Sequence, residues 1–140
     1  MTLDSAGLQV LSREECLALL ASVPVGRIVF TDRALPAVQP VGFVLDGEHV
    51  VIRTTAGSRL ASAARNAVVA FEVDEFDART HQGWSVTMVG HARAVQDLAE
   101  IQRLALLPLT PWARGGGDQF IVMFPQQISG RRIHGEAALT

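Results

Sequence analysis

Three short apolar runs rich in β-branched residues follow one another near the N-terminal third of the chain: V-G-R-I-V-F-T at 25–31, A-V-Q-P-V-G-F-V-L at 37–45 and H-V-V-I-R-T-T at 49–55. Runs of this length and texture read as strands. The second and third are separated by Asp46-Gly47, a dipeptide favoured in two-residue hairpin turns because it tolerates positive φ. A β-hairpin is therefore predicted there, and it commits this part of the chain to an antiparallel sheet.

The rest of the chain supplies more strands and a few short helices. Ser12 and Glu15 have capping-box spacing, and Cys16, Leu17, Leu20 and Val23 recur at helical intervals before Pro24, so a helix is predicted from Ser12. Ser58 caps a second short helix in S-R-L-A-S-A-A-R-N, and V-V-A-F-E-V-D at 68–74 returns to strand. The polar stretch D-A-R-T-H-Q-G reads as a loop before the long strand at 84–95. Asp97 with Glu100 starts a third helix, predicted to run to about Leu107 and to be broken by Pro108 and Pro111. R-G-G-G-D at 114–118 then leads into a final strand, F-I-V-M-F-P-Q-Q-I. About six strands and three helices without regular β-α alternation predict a mainly β domain, a small antiparallel barrel with peripheral helices.

Composition narrows the class. A chain of 140 residues, 49% hydrophobic and 19% charged, is expected to form one domain over 1–140, with its core at about 12–133. A net charge of -2, with its arginines scattered, offers no basic face to a nucleic-acid backbone. No apolar run reaches the roughly 18 residues that span a bilayer, and M-T-L-D-S-A-G lacks a secretory signal pattern, so a cytoplasmic protein that does not engage membranes is expected. Cys16, the one cysteine, lies among leucines and reads as a buried structural thiol.

The chemistry concentrates at V-I-R-T-T-A-G-S-R-L, residues 51–60. Arg53 and Thr54 end a strand, and Ser58 and Arg59 begin a helix. Hydroxyls, guanidinium groups and backbone N–H groups at such a corner suit a terminal phosphate; Ser58 as a plain cap beside two solvated arginines is the simpler alternative.

This corner, coming after the Asp46-Gly47 hairpin, resembles that of the flavin-binding split-barrel family typified by pyridoxamine 5'-phosphate oxidase. The resemblance covers about residues 12–133. It is closest to a small actinobacterial-type branch, in V-D-E-F-D at 73–77, in G-W-S-V and G-x-A-R-x-V within 83–95, in P-W-A at 111–113 and in S-G-R-R-I at 129–133. It implies a split β-barrel, FMN as cofactor, a small-molecule substrate and a homodimer with the cofactor between subunits. Carried over by position, it implies that Arg53, Thr54, Ser58 and Arg59 hold the phosphate, with Thr55 as a further donor. Gln39, Pro40, Val41 and Gly42 would lie along the rim of the flavin ring. Ser85 stands where the larger oxidases carry a glutamine, and Trp112 and Arg131 would close over the flavin from the partner chain, with Trp84 as an alternative on the ring's flank. The chain ends in H-G-E-A-A-L-T, without the arginine-rich segment that holds pyridoxamine phosphate in the larger oxidases, so an FMN-dependent oxidoreductase with another small organic substrate is expected.

Other chemistries fit less well. G-W-S-V-T lacks the second glycine of a nucleophile elbow, and His49, His81, His91 and His134 have no metal-ligand spacing. Glu72, Asp74, Glu75 and Asp77 read as a solvated loop rather than a carboxylate pair. Three alternatives stay open: a deazaflavin-dependent reductase, for which Arg33, Arg65 and Arg79 supply the available basic residues; a non-catalytic flavin or haem sensor with His91 or His49 as axial ligand; and a scaffold whose corner holds nothing.

Overall fold

The computed structural model describes residues 1–109 and 117–135. Along these run β1 (Gln9–Val10), α1 (Arg13–Leu20), β2 (Val25–Asp32), β3 (Leu35–Asp46), β4 (His49–Thr54), α2 (Arg59–Ala63), β5 (Ala67–Asp77), β6 (Gln82–Ala94), α3 (Leu98–Leu104) and β7 (Gln119–Ile133). The sheet runs in the order β1-β7-β4-β3-β2-β5-β6, every pairing is antiparallel, and β6 pairs β7 again. That last pairing closes six strands into a barrel and leaves the two-residue β1 as an appendage on β7. The expected mainly β barrel with peripheral helices is the observed fold.

The predicted hairpin forms, one residue further on. Asp46 pairs with His49, so Gly47 and Glu48 make the turn, and Gly47 takes φ 63°, as the first central residue of a type II′ turn requires. A second hairpin joins β2 to β3 through Arg33 and Ala34, with Asp32 paired to Leu35. Both turn residues have positive φ, 52° and 66°, the type I′ geometry that usually calls for Asn or Gly. An L-residue with a Cβ is strained there. We expect Ala34→Gly to stabilise the fold by about 1 kcal/mol, read as a rise in the urea midpoint; a midpoint that falls would refute the strain.

Several strands run longer than their sequence signals. β5 and β6 extend into the stretch read as a polar loop, leaving only residues 78–81 as the turn. Asp77 closes that turn by accepting the N–H groups of Arg79 and Thr80. β7 continues through S-G-R-R-I because both β6 and β1 pair with that end. The helices start where predicted. Ser12 and Glu15 exchange both capping-box hydrogen bonds, at 3.1 and 3.0 Å, and Asp97 accepts the Glu100 N–H. Helix α3 stops at Leu104 rather than at Leu107; the residue before a proline is pushed out of helical geometry, and Pro108 follows.

Strand alternation sorts the core into two parts. Ile28, Phe30, Phe43, Val50, Ile52, Phe71, Val73, Val86, Met88, Ile121 and Met123 fill the barrel. Their neighbours of opposite parity, Val51, Phe120 and Val122, form a second cluster with Val95 and with Leu104 of α3. Helix α3 thus covers the β4–β7 wall, pinned by ion pairs of Arg103 with Asp46 and of Glu100 with Arg93. Cys16 is buried in the first cluster, and burial pushes its thiol pKa up, as suits a structural thiol.

Candidate functional site

The residues singled out at 51–60 form a built corner. Thr54 Oγ1 and Ser58 Oγ lie 3.0 Å apart, and Ser58 Oγ accepts the N–H of Ala61 as the cap of α2. Gly57, at φ 84°, turns the chain between them, and Ser58 N–H donates to Thr55 O at 3.1 Å. Because α2 is only five residues long, its hydroxyls and cations matter more here than its dipole.

A second segment braces this corner from behind. Arg53 donates from Nε and Nη2 to the Gly117 carbonyl at 3.1 and 2.7 Å, and its guanidinium lies 5.1 Å from the centre of the Phe120 ring. A Cβ on Gly117 would stand 2.8 Å from Thr54 N, so only glycine lets the two chains approach this closely. Asp118 Oδ1 accepts the Ala56 N–H at 2.8 Å. This brace was not foreseen, because 64 residues of sequence separate Arg53 from Gly117.

Arg59 points the other way. Its Nε donates to Asp32 Oδ2 at 2.7 Å while 75% of the side chain stays exposed. The pair lines two adjoining clefts of 410 and 450 Å³. Asp32 carries no sequence motif, and the β2–β3 hairpin brings it to Arg59.

Gln39, Pro40, Val41 and Gly42 lie on β3 opposite Ile28, Arg27, Gly26 and Val25 of β2. On the other side, β4 pairs with β3 only from Phe43 to Asp46. Continuing that register past Phe43–Ile52 would set Gly42 opposite Arg53 and Val41 opposite Thr54. The strands part there instead, leaving the β4-facing edge of 39–42 without a strand partner among the described residues. The fold thus brings the 39–42 strip to the 51–60 corner.

Ser85 and Arg131 lie on β6 and β7. They pair with each other across β6 and β7, and Arg131 donates from Nε to Asp4 Oδ2 at 2.8 Å. Asp4 is held below its ordinary pKa chiefly by the Leu8 N–H, then by Arg131. Around the other side of the barrel, Pro40 is level with Thr87 through Arg27 and Glu72, and Ser85 lies two residues along β6 from Thr87. Trp112 lies outside the described residues. Trp84, 7% exposed, belongs to the barrel core.

One cluster differs from its sequence reading. Glu72 and Asp74 sit side by side on the outer face of β5, not in a loop, and both accept from Arg27 Nη1 at 3.2 Å. Burial, then the hydrogen bond and charge of Asp74, push Glu72 up to about 7 against the pull of Arg27. Strand alternation puts residues i and i+2 on one face, but the Arg27 that joins the two carboxylates is supplied by another strand and has no signal in this stretch. The His49 ring packs 4.9 Å from that of Phe124, His91 is exposed, and His134 Nε2 contacts Gln9 Oε1 at 2.6 Å. Among the described residues no group of three or more His, Cys, Asp or Glu is placed to hold a metal ion, and no helix is long and apolar enough to cross a membrane.

Comparison with known proteins agrees with the barrel. The uncharacterised protein Rv0080 of Mycobacterium tuberculosis is 38% identical over 128 residues, covering 88% of this chain and 84% of its own. The FAD binding protein from Mycobacterium smegmatis is 39% identical, with a TM-score of 0.78 over 90% of this chain and 98% of that one. A conserved protein of unknown function, DIP1874 from Corynebacterium diphtheriae, is 33% identical, with a TM-score of 0.75 over 89% of this chain and 96% of that one. With the sequence profile described as pyridoxamine 5'-phosphate oxidase matching residues 12–132, the chain belongs to the pyridoxamine 5'-phosphate oxidase-like family.

Proposed function

We propose that the protein is a cytoplasmic, homodimeric flavoprotein that holds the FMN moiety of a flavin and serves a redox step on a small organic substrate. The observation that carries the reading is the parting of β3 from β4 at Gly42 and Arg53. It leaves one free backbone edge beside a corner of hydroxyls and guanidinium groups, which suits a flat polar-rimmed ring attached to a phosphate. A relative of 39% identity described as an FAD binding protein supports a flavin.

When bound, the flavin supplies hydride or electron transfer, and the chain supplies position and electrostatics. Thr54 and Ser58 offer hydroxyls to the phosphate, and Thr55 adds a further donor. Arg59 brings a mobile guanidinium that must turn from Asp32 to reach the ligand. Arg53, committed to Gly117 and Phe120, contributes its charge from a fixed place and holds the corner in shape. The edge at Gln39, Pro40, Val41 and Gly42 offers backbone groups to the ring rim. Ser85 would reach towards the ring rim, and Arg131 would close over the flavin from the other subunit.

The test is an absorption spectrum after loading with FMN and desalting, followed by titration of the Arg59→Ala variant. Flavin bands that persist are expected. Because Arg59 is largely exposed and already paired, its loss should weaken FMN by about tenfold, the low end for a charge-assisted contact. Unchanged affinity in the variant would sink the phosphate assignment, and a sedimentation mass of one chain would sink the dimer.

A further inference from the structure

The arm at residues 2–10 folds back on itself before it joins the barrel. Val10 N–H donates to Thr2 O at 2.7 Å, Leu3 bridges to Gln9, and Gly7, at φ 81°, helps to make the turn between them. Through β1 the arm adds to the end of β7, with Gln9 opposite Arg132 and Val10 opposite Arg131. It lies ahead of residue 12, where the match to the family begins. Its part in the molecule is therefore read from this chain's own contacts.

Asp4 is the fixed point of this arm. Its Oδ1 accepts the N–H groups of Ala6 and Leu8 at 2.9 and 3.0 Å, the way an aspartate closes a turn. Its Oδ2 accepts Arg131 Nε at 2.8 Å, across 127 residues of sequence. A carboxylate already held by two backbone donors has little freedom to follow a long side chain, so the arginine is placed by the aspartate and not the reverse. Arg131 Nη1 donates in turn to Gly130 O at 2.9 Å. Nε and Nη1 are thus both committed, while Nη2 makes no hydrogen bond among the described residues and the side chain stays 36% exposed. A guanidinium pinned in this way keeps a free donor at a set place, and its rotamer freedom is lost on folding rather than on binding.

We infer that Asp4 is a positioning residue of the flavin site: held by the turn of its own arm, it fixes Arg131 so that Nη2 is set for the flavin bound with the other subunit. The inference rests on the reading that Arg131 closes over that flavin. It gives the arm at 2–10 a part in retaining the cofactor, and it assigns Asp4 neither a contact with the flavin nor a part in the chemistry.

The full chain is titrated with FMN by fluorescence as wild type, as Asp4→Asn, as Arg131→Ala and as the double variant. Asparagine keeps an Oδ1 for Ala6 and Leu8, and so the turn, but sets an N–H donor against Arg131 Nε. Arg131→Ala should weaken FMN about tenfold, the scale of one charge-assisted contact. Asp4→Asn should weaken it about fivefold, less because Gly130 O still holds Nη1. The double variant should bind no more weakly than Arg131→Ala alone, since a residue that acts through Arg131 has nothing left to place; a merely structural role would add its loss to that of Arg131. Additive losses, a loss in Asp4→Asn larger than that in Arg131→Ala, or an affinity within about twofold of wild type, overturns the inference and leaves Arg131 at the flavin. Tighter binding by Asp4→Asn overturns it too, because Asp4 would then compete with the ligand for Arg131. An Arg131→Ala variant that binds FMN as wild type does overturns the reading of Arg131 and the inference with it. Failure of wild type to bind FMN overturns the flavin reading as a whole.

Discussion

Gly90→Ala is expected to cost about 3 kcal/mol of stability, the upper end for forcing atoms into a packed site. A Cβ on Gly90 would stand 1.9 Å from Phe124 O and 2.8 Å from Phe124 C. Those are backbone atoms of the opposing strand, so no side chain can swing aside to make room. The glycine sits where the β6–β7 register shifts, between Val89 and Gly90, a bulge of the kind that bends and twists a strand. This is also the seam where the barrel closes. To accommodate the methyl group, β6 and β7 must separate, and the ladder hydrogen bonds on either side go with them. Chemical denaturation reads the effect as a lower midpoint with an unchanged slope. A loss below about 1 kcal/mol, no more than an ordinary surface change, would mean that the two strands do not approach as described.

Stability should also fall as pH rises from about 4.5 to 7, and Glu72→Gln should remove that fall. In the folded chain Glu72 holds its proton up to about 7, against an ordinary 4.5. Between those values the folded state binds a proton that the unfolded state has released, so raising the pH favours unfolding; above about 7 both states are ionised and the dependence levels off. The full shift would correspond to about 3 kcal/mol, but the side chain is 27% exposed and shares Arg27 with Asp74, so about 2 kcal/mol is the expected size. Glutamine keeps the shape and the hydrogen-bonding capacity of the protonated acid. The variant should therefore match wild type near pH 5 and exceed it by that amount near pH 8. Parallel pH profiles for the two proteins would show that Glu72 titrates normally.

Local signals carried most of the fold. Ser12 with Glu15, and Asp97 with Glu100, marked helix starts because a cap is satisfied within four residues. Gly47 marked a hairpin because only a residue without Cβ takes that φ freely. The Arg33-Ala34 turn was illegible for the opposite reason: neither residue favours positive φ, and the hairpin holds only because the strands on both sides impose it. Strand lengths were underestimated where pairing, not composition, decides. Asp77 and Gln82 are polar, and they belong to strands because each has a partner.

The candidate site divides the same way. Thr54, Gly57 and Ser58 were readable together because the turn that unites them lies within one short stretch. Asp32 beside Arg59, Gly117 beside Arg53, and Arg27 beside Glu72 and Asp74 were not, since each contact joins residues 27 to 64 positions apart.

The sequence by itself determined which segments are strand or helix and where the hydroxyls and cations of the corner fall, because backbone preferences and caps act over a few residues. Only the tertiary structure decided that β6 returns to β7 to close the barrel, that β3 parts from β4 beside that corner, and that a carboxylate stands against Arg59. The reason is physical: closure and charge pairing depend on contacts between strands, and the free energy of such contacts has no local signature in the chain.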